Sequence, residues 1–203
     1  VDTNQYPLSE NHTSEDGVCK LLYAGRVSPE KGVRTIIEAI SNLILKGYEN
    51  FSLSIVGGGS SDYVSELQRL VEEKKQKKRV KFWGVQPRER VKDFFYNHDI
   101  FIFSSIWEEP FSIVLLEAMA SGMAVIGTPV GGSKEILVDG ENALVYSPGD
   151  SEALAEAISK LANNAELRKR LGKKAALCVR ENFDIEQTIE QVEKYLLEVC
   201  GQS

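Results

Sequence analysis

The sequence is poor in the residues that build metal and redox sites. It has three cysteines and two histidines in 203 residues. Cys19, Cys178 and Cys200 are odd in number and far apart, with no Cys-x-x-Cys or Cys/His cluster, so neither a disulfide framework nor a zinc site is expected. His12 and His98 form no nucleophile pair and no metal spacing with their neighbours. No Asp-x-Asp occurs, which removes the simplest device for holding a metal–diphosphate complex, and no metal or other cofactor is expected. No Gly-x-Gly-x-x-Gly follows the first apolar run. Gly57-Gly58-Gly59 follows the second one and fails the pattern at Asp62, so it reads as a tight turn. No stretch approaches the roughly 20 apolar residues that span a bilayer. The opening Val1-Asp2-Thr3-Asn4-Gln5 lacks the basic head and apolar middle of a secretion signal, and it lacks an initiator Met. The expectation is a piece of a longer chain in a reducing, cytoplasmic setting, where the Asn11-His12-Thr13 glycosylation spacing is a chance match.

What is present is the composition of a globular domain, 42% hydrophobic and 27% charged. A net charge of −6 argues against a nucleic-acid partner. The basic run Lys74-Lys75-Gln76-Lys77-Lys78-Arg79 reads first as the solvated cationic end of a helix. Its alternative is a patch for anionic lipid headgroups, which would put the protein at the membrane surface.

Short β-branched runs alternate with longer segments of helical periodicity, the pattern of a parallel sheet covered by helices. Strands are expected at 20–24, 51–56, 80–83, 99–103, 124–127 and 143–146. Helices are expected at 32–46, 62–76, 89–96, 111–121, 132–137, 151–162, 165–180 and 185–199, with Ser151 and Asp184 as caps. Six such strands suit a doubly wound Rossmann-like sheet of order 3-2-1-4-5-6. Residues 1–17 read as an irregular lead-in and 18–203 as one domain. The last helix is surplus to the sheet, and so is a candidate to pack on something outside this chain.

In that strand order, ligands bind where the order reverses, between the first and fourth strands. The loop after Ala24 reads Gly25-Arg26-Val27-Ser28-Pro29-Glu30-Lys31-Gly32. Gly25 lets the chain leave the strand sharply. Arg26 and Lys31 both fall near a helix start, where cations are normally disfavoured unless an anion such as a diphosphate sits there. Pairing with Glu30 on a plain surface loop is the alternative. The loop after Phe103 leads through Glu109, Pro110 and Phe111 into an apolar helix, with Pro110 in its first turn. Glu117 shares a face with Ile113, Val114 and Ala120, so it needs a partner or a ligand, either a structural ion pair or a function.

Glu109-x7-Glu117 followed by Ala-Met-Ala-Ser-Gly resembles the signature of family 4 (group 1) retaining glycosyltransferases. Gly25-Arg26-x4-Lys31-Gly32 is similar to that family's diphosphate loop. Val80-x-Phe82-x-Gly84-x-Gln86, Asp99, Gly131-Gly132-x2-Glu135 and the hinge-like Val1-Asp2-Thr3 with Tyr6-Pro7 extend the likeness over essentially the whole chain. The resemblance implies the C-terminal, donor-binding half of a GT-B enzyme, inactive without an N-terminal domain missing from this chain. It implies that Arg26 and Lys31 neutralise a leaving diphosphate, that Glu117 holds the ribose hydroxyls and that Glu109 holds hydroxyls of the donor sugar. Backbone amides of Phe111, Ser112 and Ile113 would bind at the helix start, and the main chain of Val85 would meet the base. One departure is Ser112, where the family usually has Gly, so that a side chain faces the sugar.

The expected reaction is transfer of a glycosyl group from a nucleoside diphosphate to a hydroxyl of a glycan, lipid or small molecule, with retention. UDP-, GDP- and ADP-sugars all suit this reading. Its rivals are a non-catalytic nucleotide-binding or scaffold domain of the same fold, and an NAD-dependent oxidoreductase, which the missing glycine fingerprint disfavours.

Overall fold

The computed structural model describes residues 1–8, 17–108 and 110–200. Glu109 and the triplet Asn11-His12-Thr13 therefore lie outside the described residues. Six parallel strands, β1 (Cys19–Ala24), β2 (Phe51–Val56), β3 (Val80–Gly84), β4 (Ile100–Phe103), β5 (Ala124–Gly127) and β6 (Leu144–Val145), form one sheet in the order β3-β2-β1-β4-β5-β6. The expected order is observed. Among the described residues, seven α-helices accompany the strands: α1 (Val33–Leu45), α2 (Ser61–Glu73), α3 (Arg88–Tyr96), α4 (Ile113–Ala120), α5 (Ser151–Ala162), α6 (Ala165–Asn182) and α7 (Ile185–Cys200).

The sheet is buried on both faces, and the two-residue period of its strands divides the core in two. Leu21, Tyr23, Leu53, Ile55, Ile100, Ile102, Ala124 and Ile126 point to the face covered by α1, α2 and α5. Leu22, Ala24, Val56, Phe101, Phe103 and Val125 point to the other face, covered by α3, α4 and α6. The inner strands β1, β4 and β5 are nearly continuous apolar runs because neither face meets water, whereas β2 is interrupted by Ser52 and Ser54 and the edge strand β3 exposes Lys81.

Several expected boundaries move, each for a local reason. Before α1, Pro29–Lys31 forms a separate 3-10 turn ended by Gly32 in the left-handed region (φ 68°), so Lys31 stands one turn ahead of the helix rather than at its start. Pro110 and Phe111 do not open α4. Ser112 caps it, its Oγ accepting from the Leu115 N–H, and the helix begins at Ile113. Asp150, not Ser151, caps α5, accepting from the N–H groups of Glu152 and Ala153. The short helix expected at 132–137 is a 3-10 turn, Gly131–Glu135, and β6 keeps only two residues of the four expected. Asp99 does not belong to β4. It is buried at the N-terminal edge of the sheet, where its carboxylate accepts from the Lys20 N–H at 2.6 Å.

The lead-in is tied down at 1–6. The Val1 nitrogen donates to the Phe183 carbonyl (2.7 Å), and the Ile185 N–H donates to the Val1 carbonyl (2.9 Å). The buried Asp184 carboxylate accepts from the N–H and hydroxyl of Thr3 and from the Glu186 N–H. Tyr6 enters the α3/α4 core with no exposed surface. By contrast α7 buries no residue, and Ile185, Ile189, Val192, Leu196 and Val199 leave an apolar stripe along it.

Candidate functional site

At the point where strand order reverses, the loops after β1 and β4 are joined by hydrogen bonds. The Ser104 hydroxyl donates to the Lys31 carbonyl (2.7 Å) and the Ser105 hydroxyl to the Glu30 carbonyl (3.3 Å). The Ile106 N–H donates to the same Glu30 carbonyl (2.9 Å), and Thr128 holds Ser105 from behind through its carbonyl (2.6 Å). Ser104, Ser105 and Thr128 are buried polar residues that sequence reasoning missed. Their only signal was a pair of serines directly after an apolar strand. Together they fix the 3-10 turn that carries Lys31.

The β1 loop is fixed on its other side by the glycine triplet. The Val27 N–H donates to the Gly58 carbonyl (2.7 Å), and a Cβ on Gly57 would lie 1.8 Å from the Gly25 carbonyl oxygen. The triplet is therefore more than a turn: it lets two loop backbones touch. The Tyr23 hydroxyl donates to the Arg26 carbonyl (2.5 Å) and completes the clamp.

A crevice of about 320 Å³ opens between these loops. It brings Gly25, Arg26 and Lys31 to one side and Phe111, Ser112 and Ile113 to the other. Because α4 starts at Ile113, its unpaired first-turn N–H groups belong to Ile113 and Val114, while Phe111 and Ser112 stand in the loop ahead. Two cations opposite a helix N-terminus make a surface suited to an anion with several oxygens. The Ser112 hydroxyl is turned back to cap the helix.

Val85 and Glu117 do not line this crevice. Val85 is exposed on the turn after β3, against Gly58. Glu117 is buried on α4, and its Oε1 accepts from Nη2 of Arg88 at 2.9 Å, so the carboxylate has the ion-pair partner that its apolar surroundings required. Arg88 is a further residue that the sequence reading missed. Beside the crevice, Glu108 accepts from the Gly131 N–H and from Lys134 Nζ, which ties the loop after β4 to the Gly131–Glu135 turn. The Lys134 ammonium holds the Glu108 carboxyl below its usual range, helped by the Gly131 N–H. Phe111 packs on Phe183 with ring centroids 5.5 Å apart. A roomier hollow of about 590 Å³ lies at the opposite edge of the sheet, beside Asp99 and Arg168, remote from these loops. No group of three His, Cys, Asp or Glu side chains comes together among the described residues, and none of their helices is long and apolar enough to cross a membrane.

Comparison with known proteins decides the family. The model for glycosyl transferases group 1 matches residues 7–177. This chain belongs to that family. An uncharacterized glycosyltransferase of Methanocaldococcus jannaschii is 30% identical over 177 residues, covering 86% of this chain and 44% of the relative. Among solved structures, the C-terminal domain of LpcC, a group 1 family protein of Francisella tularensis, superposes with a TM-score of 0.80 at 27% identity, over 91% of this chain and 99% of that one. HepE of Anabaena, solved in complex with UDP, matches with a TM-score of 0.86 at 24% identity, over 98% of this chain and 56% of that one. The structural neighbours are GT-B glycosyltransferase domains. This group 1 glycosyltransferase chain spans about half the length of the curated relatives it matches.

Proposed function

We propose that this chain is the donor-binding half of a retaining glycosyltransferase and that it binds a nucleoside-diphosphate sugar in the crevice between β1 and β4. The observation that carries the reading is the meeting of Arg26 and Lys31 with the N-terminus of α4 in that crevice, in a chain of this family. As the glycosidic bond breaks, negative charge grows on the diphosphate. Two cations and the helix dipole, held in place before the reaction, stabilise that charge without reorganising. Glu117 holds the ribose hydroxyls, the main chain of Val85 meets the base, and Glu109 orients the sugar. HepE, which shares this fold, was solved in complex with UDP, which supports a nucleotide donor. The acceptor and the rest of the catalytic machinery come from an N-terminal domain that faces the crevice. The exposed stripe of α7 is the surface that part of the protein covers, because α7 buries no residue against the described part of the chain.

Calorimetric titration of the chain with UDP, GDP, ADP and NAD tests the reading, repeated on Arg26→Ala and Glu117→Ala. One nucleoside diphosphate should bind, and each substitution should weaken it about ten- to hundredfold, the size of a lost hydrogen bond to a charged group. Binding of NAD in preference to all three would overturn it. Nucleotide binding without sugar transfer by the full-length protein would favour the scaffold reading instead.

A further inference from the structure

Three side chains from separate parts of the sequence meet beside α4. Glu117 comes from α4, Arg88 opens α3, and Tyr6 belongs to the lead-in. Arg88 engages one oxygen of the carboxylate, Oε1 at 2.9 Å, and its own side chain is 61% exposed, so it reaches in from the solvent-facing surface. The Tyr6 hydroxyl is buried beside both groups without a well-formed hydrogen bond. Its pKa is pushed up to about 12, first by burial and then by Glu117. The carboxylate thus lies beside a buried tyrosine and is held by a single guanidinium.

Arg88 also lies three residues beyond Val85. The turn between them is closed by Gln86, whose side-chain N–H donates to the Trp83 carbonyl at 2.6 Å. The Arg88–Glu117 pair thus spans from the turn that carries Val85 to the helix that carries Glu117. A buried carboxylate is costly without a cationic partner, and removing that partner leaves it uncompensated.

We propose that Arg88 is a positioning residue for ribose recognition: its guanidinium fixes the Glu117 carboxylate in one orientation through Oε1, so that the carboxylate accepts hydrogen bonds from the ribose hydroxyls. The proposal rests on the assignment of Glu117 to the ribose and extends it to a residue outside the Glu-x7-Glu pattern. Arg88 touches neither ribose nor phosphate in this role.

The test separates positioning from general support of the fold. Whichever of UDP, GDP and ADP binds tightest is titrated calorimetrically alongside its 2′,3′-dideoxy counterpart, against the unsubstituted chain, Arg88→Met and Arg88→Lys. The unsubstituted chain should prefer the ribonucleotide about ten- to hundredfold. Arg88→Met should lose most of that preference by weakening the ribonucleotide alone, with the dideoxy affinity unchanged, and Arg88→Lys should restore part of it. Equal weakening of both ligands, or an unaltered preference, would overturn the positioning role while leaving Glu117 in place. Tighter ribonucleotide binding by Arg88→Met would also overturn it, since Arg88 would then be competing with ribose for the carboxylate. No preference in the unsubstituted chain would overturn the assignment of Glu117 itself, and this proposal with it.

Discussion

Asp184 offers a direct test of how firmly the lead-in is fastened to the domain. Its carboxylate accepts from the N–H and hydroxyl of Thr3, 181 residues earlier, and from the Glu186 N–H at the start of α7. The side chain is only 8% exposed, and the Thr3 hydroxyl is the main cause that holds its pKa below the usual carboxylate value. Each donor is worth about 1 kcal/mol net, and the Glu186 contact acts as a helix cap of similar size. Water replaces part of what is lost, so Asp184→Ala should cost about 2 kcal/mol. For a domain of this length that lowers the midpoint of thermal unfolding by about 4–8 °C. The sign with pH follows from the lowered pKa. The stabilisation is complete above the unfolded value of about 3.9 and is lost as pH falls through the folded one, so the gap between the two proteins should narrow below about pH 4. Scanning calorimetry of both proteins between pH 3 and pH 7 measures this. A gap under about 0.5 kcal/mol at pH 7, or one that widens on acidification, would refute the reasoning.

His98 is half-buried against Phe94 and bonded to the Phe94 carbonyl and the Ser54 hydroxyl, and desolvation lowers its pKa. The unfolded chain then takes up that proton first, so stability should decline as pH falls below about 6.5. Urea unfolding of His98→Gln should show a flatter decline over that range. Gly57→Ala puts a Cβ 1.8 Å from the Gly25 carbonyl oxygen at φ 131°, which should cost about 3 kcal/mol or more through strain and displacement of the β1 loop. A urea midpoint within experimental error of the unsubstituted chain would contradict it. Leu196→Glu on the exposed stripe of α7 should leave the melting temperature of this chain within about 1 °C, because α7 buries no residue. A drop of several degrees would mean that the stripe is already covered.

The alternating architecture was legible because a parallel sheet writes its inner strands as apolar runs buried on both faces, as in Leu21–Ala24 or 100–103. The reversal point followed from strand order, and with it the two loops that form the crevice. Helix starts were less legible. Pro110 and Phe111 satisfy the preferences of a first turn, but the Ser112 side chain decides where α4 begins. Arg88 gave no signal because an exposed arginine at the start of a polar helix looks like any solvated residue, and its partner lies 29 positions away. Asp99 looked like the first residue of a strand, whereas it precedes β4 and its carboxylate accepts from the Lys20 N–H. Tyr6 sat in a segment read as irregular. Only the folded chain shows it buried in the core beneath Glu117.

The hydrogen bonds between Val1 and the residues flanking Asp184 bring the start of the chain and the root of α7 to one spot. One short stretch therefore anchors both ends of the described chain: the peptide groups that hold Val1 also root α7. Phe183, whose carbonyl receives the Val1 nitrogen, packs on Phe111, which lines the crevice. That anchor lies a single aromatic contact away from the loop ahead of α4.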